Sequence, residues 1–392
     1  MSILIVEPLG RGYSHVPTNS GFIATVVAAF PDDTISFLAE DSHRQLVREH
    51  LALRSYSIDD QIQWLDGSVT FNQKLYDQTV WQQRRYSLKT SLDEAQRLDV
   101  HTIIFLSLDG IGLIVLKWLL LYQNHRPRIL CVMHGVMTKI TESRYALKTQ
   151  LFRYLLIVGN NRMRLKFLVI APTIYKNSVA SFPRLAPFLE WIDHPHLFAL
   201  RERYVSHSLD SRQIVFGFLG AGTRMKGFDI FEQLSITVPK STPNDVSAPE
   251  FRAIGHSIES TRSQSSLSRT LAESYMPVNE YADEIQRVDY VIFPYAAHHY
   301  ALRASAAIFD ALEHLKPIIA FRIPLFEDYF DRMGNIGYLC DTYEELQGLL
   351  IQLTSTKPNE EYLSQQTTIQ NSRHIFEPRR LVIDMRRIIN SY

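Results

Sequence analysis

The sequence is short of several residue types and motifs whose scarcity narrows what it can be. It has two cysteines in 392 residues, Cys131 and Cys340, each inside an apolar run. Neither a disulfide scaffold nor a cysteine-rich zinc site can be built from them, and a reducing compartment such as the cytoplasm is expected. It has no net charge, with 41 basic and 41 acidic residues. A pI near 7.3 and the lack of a zinc-finger or RNA-binding aromatic signature speak against nucleic acid as a partner. Long hydrophobic runs are missing: the longest, Ile111 to Tyr122, carries Lys117 and falls short of the roughly 20 residues that span a bilayer. The opening MSILIVE has no basic flank or extended apolar core and reads as a first strand, not a signal peptide. The phosphate loop Gly-x-x-x-x-Gly-Lys-Ser/Thr does not occur, which argues against nucleoside triphosphate hydrolysis. Gly10-Arg11-Gly12 lacks the third glycine of the dinucleotide fingerprint, so no nicotinamide site is read.

What is present is an ordinary globular composition, 46% hydrophobic and 21% charged, in a chain long enough for two domains. Short apolar or β-branched runs recur at 3–8, 34–40, 62–67, 102–108, 128–134 and 166–172, with helix-length patterns between most of them. That alternation predicts βα units and a parallel sheet covered on both faces. A stretch holding Pro183, Pro187 and Pro195 breaks the pattern, which restarts at 213–220 and continues at 251–255, 289–295, 316–321 and 335–340. The reading is therefore α/β, with two Rossmann-like doubly wound domains: 1–185, a linker over 186–211, and 212–375. A last amphipathic helix in 376–392 is expected to pack back on the N-terminal domain. The Ser-rich stretches 241–250 and 256–270 are expected as surface loops.

Charge is unevenly spread. Residues 1–196 carry 21 Lys/Arg against 17 Asp/Glu, and between Arg126 and Lys166 nine basic residues face one acid, Glu142. Leu147, Leu151, Tyr154, Leu155 and Val158 recur there at three- and four-residue steps, which predicts an amphipathic helix with an apolar and a basic side. Such a helix is either a solvated element over the core or one that lies on an anionic membrane surface, a peripheral contact.

Ligands of doubly wound sheets bind beyond the C-terminal ends of the strands. The first strand runs into Leu9-Gly10-Arg11-Gly12, a tight turn or an acceptor-binding loop, and a helix is expected from Ser20. His134 ends the strand RILCVMH, as a base, a hydrogen-bonding group or a capped structural residue. Asp109 ends the strand before it, as a base or a helix N-cap. In the second half, FGFLGAGTRMKGFDIF sets Gly220 and Gly222 before Arg224 and Lys226 at a helix start, where two cations and backbone N–H groups can cradle a diphosphate. Further on, Tyr295 ends a strand, His298 and His299 follow, and Arg303-Ala304-Ser305 open a helix that Ser305 is expected to cap. Adjacent histidines without a Cys or carboxylate at ligand spacing do not make a zinc site, and no metal is expected.

In that order these runs resemble the GT-B glycosyltransferases, in particular the retaining nucleotide-sugar enzymes of the group 1-like kind, over nearly the whole chain. GFLGAGTRMKGFDIF is similar to their strand-loop-Lys-Gly-helix, YADEIQRVDYVIFPY to the run into the sugar-nucleotide site, and FDALEHLKPIIAF to the segment ending Gly-x-Pro-Val-Ile. The resemblance implies two domains facing across a cleft and a metal-independent hexosyltransferase of polysaccharide biosynthesis. Its donor would be a UDP or GDP sugar, with no other cofactor, and its acceptor a glycan or a lipid-linked glycan. Arg224 and Lys226 would bind the donor diphosphate, Asp310 would stand for the ribose-binding Glu, and the Arg303–Ser305 region would meet the phosphates. Gly12 and His134 would face the acceptor and the transferred sugar. Two positions depart from the pattern: eight residues before Asp310 stands Leu302 where a first acid is expected, and Leu315 replaces a glycine. They keep two alternatives open, a nucleotide-sugar epimerase and a non-catalytic partner subunit of this fold.

Overall fold

The computed structural model describes residues 1–66, 79–123, 125–141, 146–199, 213–243, 246–256, 267–272, 276–356 and 360–391. The chain forms two compact units. The first comprises Met1–Leu200, Leu302–Ala304 and Ile375–Tyr392, and the second Arg201–Ala301 and Ser305–His374.

The first unit opens β1 (Ser2–Val6), α1 (Val16–Ala29), β2 (Thr34–Leu38), α2 (Asp41–Leu53) and β3 (Ile62–Trp64), then α3 (Val80–Arg97), β4 (Thr102–Phe105), α4 (Gly110–Leu121) and β5 (Arg128–Val132). It continues with α5 (Leu147–Ile157), α6 (Asn160–Met163), β6 (Leu165–Val169), α7 (Pro172–Ser181) and β7 (Leu189–Trp191). All pairings are parallel, in the order β3-β2-β1-β4-β5-β6-β7. Ile3, Leu4, Ile5 and Val6 are wholly buried, as a strand covered on both faces requires. Local chemistry sets the helix ends: the Asp109 carboxylate accepts from Gly112 N–H at 2.6 Å to cap α4, and Thr79 and Gln82 close a capping box on α3.

The second unit holds β8 (Val215–Leu219), α8 (Phe228–Ser241), β9 (Glu250–His256), β10 (Ser268–Ala272), α9 (Val278–Gln286), β11 (Tyr290–Phe293), α10 (Ala297–Tyr300) and α11 (Ala307–Glu313). It closes with β12 (Ile318–Phe321), α12 (Pro324–Met333), β13 (Gly337–Cys340), α13 (Tyr343–Thr356) and α14 (Glu360–Ser372). Its parallel sheet runs β10-β9-β8-β11-β12-β13. Each sheet thus repeats the doubly wound order, reversing direction beside its first strand, the point at which such sheets bind ligands. A rosette of Phe216, Phe218, Phe228, Phe231 and Phe251 fills the core against the β8 side of the second sheet.

The chain ends in α15 (Val382–Asn390). Its Met385, Ile388 and Ile389 join the first unit's core with Phe22, Ile23 and Val26 of α1, and Arg386 Nε donates to the Ala29 carbonyl at 2.6 Å.

Several expectations need correction. Residues 189–191, read as linker, are the edge strand β7, while 200–211 lie outside the described residues. β10 occupies part of the Ser-rich stretch read as a loop; an edge strand takes its hydrogen bonds from the backbone and needs little apolar side chain. The first helix starts at Val16, not Ser20, because Pro17 suits a first helical turn. The basic segment beyond Lys139 is two helices, α5 and α6, divided at Gly159 with φ +71°.

Candidate functional site

In the second unit the candidate residues gather beyond the C-terminal end of β8. Gly220 has φ +91°, a left-handed conformation that glycine adopts without steric cost. A β-carbon there would stand 2.8 Å from Lys226 Nζ and 3.9 Å from the Ala307 methyl, so the ammonium is folded back over the bare backbone of Gly220, beside the start of α11. Gly227, at φ +69°, admits a similar approach: a β-carbon would lie 2.1 Å from the Pro294 carbonyl oxygen. Arg224 is exposed on the same turn and Gly222 is buried against the Phe228 ring.

The backbone N–H groups of Lys226, Gly227 and Phe228 donate to carbonyls of Thr223, Arg224 and Thr223 within the loop. Positive charge at this turn therefore comes from side chains more than from those amides. Around it, the buried Tyr295 hydroxyl pairs with Ser305 Oγ at 3.0 Å and its ring stacks on Tyr300; burial and the Tyr300 neighbour hold its phenol well above the usual range. Asp310 accepts from the Tyr281 hydroxyl at 3.1 Å. Ser305 does not cap α11 as expected, since the N-cap position falls to Ala306, which makes no side-chain cap.

In the first unit a polar cluster sits where β1, β4 and β5 end. Glu7 is completely buried. Its Oε1 accepts from the N–H groups of Leu9 at 2.9 Å and Gly10 at 2.7 Å and from the Ser107 hydroxyl, and its Oε2 accepts from the Asn19 amide at 3.0 Å. Burial alone would raise this carboxyl; the hydrogen bonds of Ser107, Leu9 and Gly10, with His15 nearby, bring it below the ordinary value. Asn19 Nδ2 also meets His43 Nε2 at 2.9 Å, and His43 Nδ1 meets the Gly12 carbonyl at 2.8 Å. Both contacts are satisfied when Nδ1 carries the proton and donates to Gly12. The loop Leu9–Gly12 is thereby tied to Glu7 at one end and to His43 at the other.

His134 lies beside this cluster, its ring 5.0 Å from that of His15. Burial pushes His134 down to about 4, reinforced by His15 and opposed by Glu7 and a hydrogen bond to the Leu106 backbone. It is therefore neutral at pH 7, and its buried Nε2 has no hydrogen-bond partner among the described residues. A neutral ring nitrogen in that position accepts a hydrogen bond from a hydroxyl. Next to it, a β-carbon on Gly135 would stand 3.4 Å from Arg303 Nε. Arg303, expected at the donor phosphates, accordingly groups with the first unit.

No family model matches this chain, and no curated protein sequence matches it significantly. Solved structures do. Sucrose-phosphate synthase from Thermosynechococcus elongatus superposes with a TM-score of 0.61 at 11% identity, over 100% of this chain and 98% of that one. Anabaena HepE in complex with UDP and glucose gives 0.57 at 12% identity, over 100% and 98%. A glycosyltransferase from Rickettsia africae gives 0.56 at 12% identity, over 99% and 98%. The chain has a GT-B glycosyltransferase-like fold.

The GT-B sequence pattern pointed to Gly220–Lys226 and Tyr295, which follow β8 and β11, and to Ser305 and Asp310, which lie before and within α11. It passed over Glu7, Asn19, His43 and Ser107. An acid closing an otherwise apolar first strand was the available signal for Glu7, since a buried carboxylate needs several donors; its partners come from three other elements and share no spacing. Leu302 and Leu315, the two departures from the GT-B pattern, are both buried, and Leu315 keeps the left-handed turn with φ +53°.

Proposed function

We propose that this protein transfers a sugar from a nucleoside diphosphate sugar to a glycan or lipid-linked acceptor, without a metal ion. The observation that carries the reading is Lys226 Nζ held over Gly220 at the end of β8, with Arg224 on the same turn. As the bond between the anomeric carbon and the diphosphate oxygen breaks, negative charge grows on the leaving group. Lys226 and Arg224 stabilise it there, and interactions that strengthen in the transition state raise turnover. The new bond forms between the anomeric carbon and an acceptor hydroxyl oxygen, whose proton passes to the departing diphosphate oxygen. His134 Nε2, neutral and with no hydrogen-bond partner among the described residues, serves a sugar or acceptor hydroxyl as hydrogen-bond acceptor. Structures of the same fold with UDP and glucose or UDP-glucose bound support the donor class.

Calorimetry with UDP, GDP and the bare nucleosides tests the diphosphate contact. A charge-assisted hydrogen bond contributes roughly 1.5–3 kcal/mol, so Lys226→Ala should weaken nucleoside diphosphate binding by about ten- to a hundredfold and leave nucleoside binding unchanged. Equal losses for both ligands would place the diphosphate elsewhere. A second reading rests on Leu302, buried and apolar where the resemblance expects an acid: a sugar-nucleotide-binding subunit without turnover. Tight donor binding with neither hydrolysis nor transfer to any acceptor would favour it.

A further inference from the structure

We infer that the outer face of α3, α4 and α5 docks on an anionic lipid bilayer surface. The three helices belong to one layer. They form the successive crossovers β3→β4→β5→β6, all running in one direction along the sheet, whose common right-handedness places them on the same side of it; α3 packs along α4, and α4 contacts α5 and α6. The layer is pinned internally by Lys117, which donates to the Val158 carbonyl and to Asn160 Oδ1 at 2.6 Å each, and by Phe152, whose ring lies against Gly110.

The outward sides of α4 and α5 are apolar and aromatic where solvent-facing helices are normally polar. α5 buries Phe152 and Leu156, yet Leu147, Leu151 and Tyr154, one stripe at i, i+4 and i+7, are 83%, 52% and 57% exposed. α4 shows Ile111, Trp118 and Leu121 in the same way, as does its cap residue Tyr122, and on α3 Trp81 is exposed as well. Part of the apolar repeat read from the sequence thus faces outward. Exposed apolar patches beyond scattered single residues mark interaction surfaces, and tryptophan and tyrosine suit the headgroup boundary because one end of the ring system is apolar and the other polar.

Charge selects the occupant. α4 and α5 contain no acidic residue, while Asp93 and Glu94 of α3 are paired with Lys89 and Arg97. Cations border the apolar residues: Arg85 lies over the Trp118 ring at 5.5 Å, and Lys148 and Arg162 are exposed on α5 and α6. Aromatic anchors with a basic rim match an anionic bilayer, where apolar insertion and charge attraction add. Among the described residues no helix is long and apolar enough to cross a membrane, so this contact is interfacial.

Co-sedimentation of the full chain with phosphatidylcholine vesicles, with and without 30% phosphatidylglycerol, tests the inference, in the absence of any sugar nucleotide so that its failure leaves the transfer reading untouched. The expected result is pelleting with the anionic vesicles only, weakening as salt is raised, and a loss of at least tenfold in partitioning for both Trp118→Ser and Tyr122→Ser at unchanged thermal stability. Arg85→Glu combined with Lys148→Glu should abolish the anionic preference. Equal binding to both vesicles, binding to neither, or binding that all of these variants retain would overturn it. So would a concentration-dependent dimer that the same substitutions dissolve, which would assign the face to a second copy of the chain.

Discussion

Asn19 and Glu7, twelve residues apart in sequence, meet through a 3.0 Å hydrogen bond in the interior of the first unit. The contact anchors α1 to the end of β1, and the carboxylate's other oxygen holds the N–H groups that begin the Leu9–Gly12 loop. Glu7→Gln keeps the shape but replaces one acceptor oxygen with an NH2 group that must face either Asn19 or the loop amides. Breaking a buried, charge-assisted network of this kind should cost about 3 kcal/mol. Urea denaturation of the variant checks it, and a midpoint equal to the wild type's would mean that the carboxylate is replaceable.

At Gly220 the expectation concerns ligand binding. Gly220→Ala would drive a methyl to within 2.8 Å of Lys226 Nζ and force the ammonium away. Its effect on nucleoside diphosphate affinity should equal that of Lys226→Ala, about tenfold or more, and the two should not add when combined, because both remove one contact. Calorimetry on the single and double variants gives the answer; full additivity would separate the glycine from the lysine.

Acid stability should reflect the buried histidines. Burial pushes His134 down to about 4, and pushes His194, buried with His196 and His134 nearby, down to about 3. The unfolded chain protonates these groups near 6.5, so as pH falls below that value the unfolded state binds more protons than the folded one, and stability is lost. Each contributes a slope of about 1.4 kcal/mol per pH unit between 6.5 and its folded value. Melting temperature followed from pH 7 to 4.5 should fall steadily, and His194→Asn should flatten the decline.

Left-handed residues offer a paired comparison. Leu315 has φ +53° and is buried, whereas Arg164 has φ +49° and is exposed. A left-handed conformation costs an L-residue about 1–2 kcal/mol, part of which a glycine regains. Arg164→Gly should therefore be neutral or stabilising by up to about 1 kcal/mol. Leu315→Gly forfeits the burial of a leucine, worth about 2–4 kcal/mol, and should destabilise overall. Parallel chemical denaturation of both variants distinguishes them.

How far the sequence foretold this structure depends on the reach of each interaction. β1, β4, β5 and β11 are continuous apolar runs because both faces of the sheet are covered, and that pattern is local and readable. β7 (LEW) and β10 (SRTLA) are edge strands whose pairing is carried by the backbone, so composition conceals them. The Gly220–Lys226 turn lies within seven residues and was legible as a unit. Glu7 draws Asn19 from α1 and Ser107 from beyond β4, a separation of 100 residues, and His43 comes from α2. Chemistry assembled by the crossing of four segments leaves no spacing to read. The α5 stripe stayed open between two readings for a related reason: periodicity shows that an apolar face exists, not which side of the helix the sheet occupies.

The placement of α15 in the first unit's core has a bearing on how the protein is made. Residues 1–199 carry every strand of the first sheet, yet the apolar groove along α1 stays open until Met385, Ile388 and Ile389 arrive. A nascent chain therefore emerges with its first sheet complete but that unit's core unfinished, while the second unit, whose segments between β8 and α14 are contiguous but for Leu302–Ala304, is synthesised behind it. The half translated first is the half finished last, and until α15 docks it exposes the apolar surface on which chaperones act.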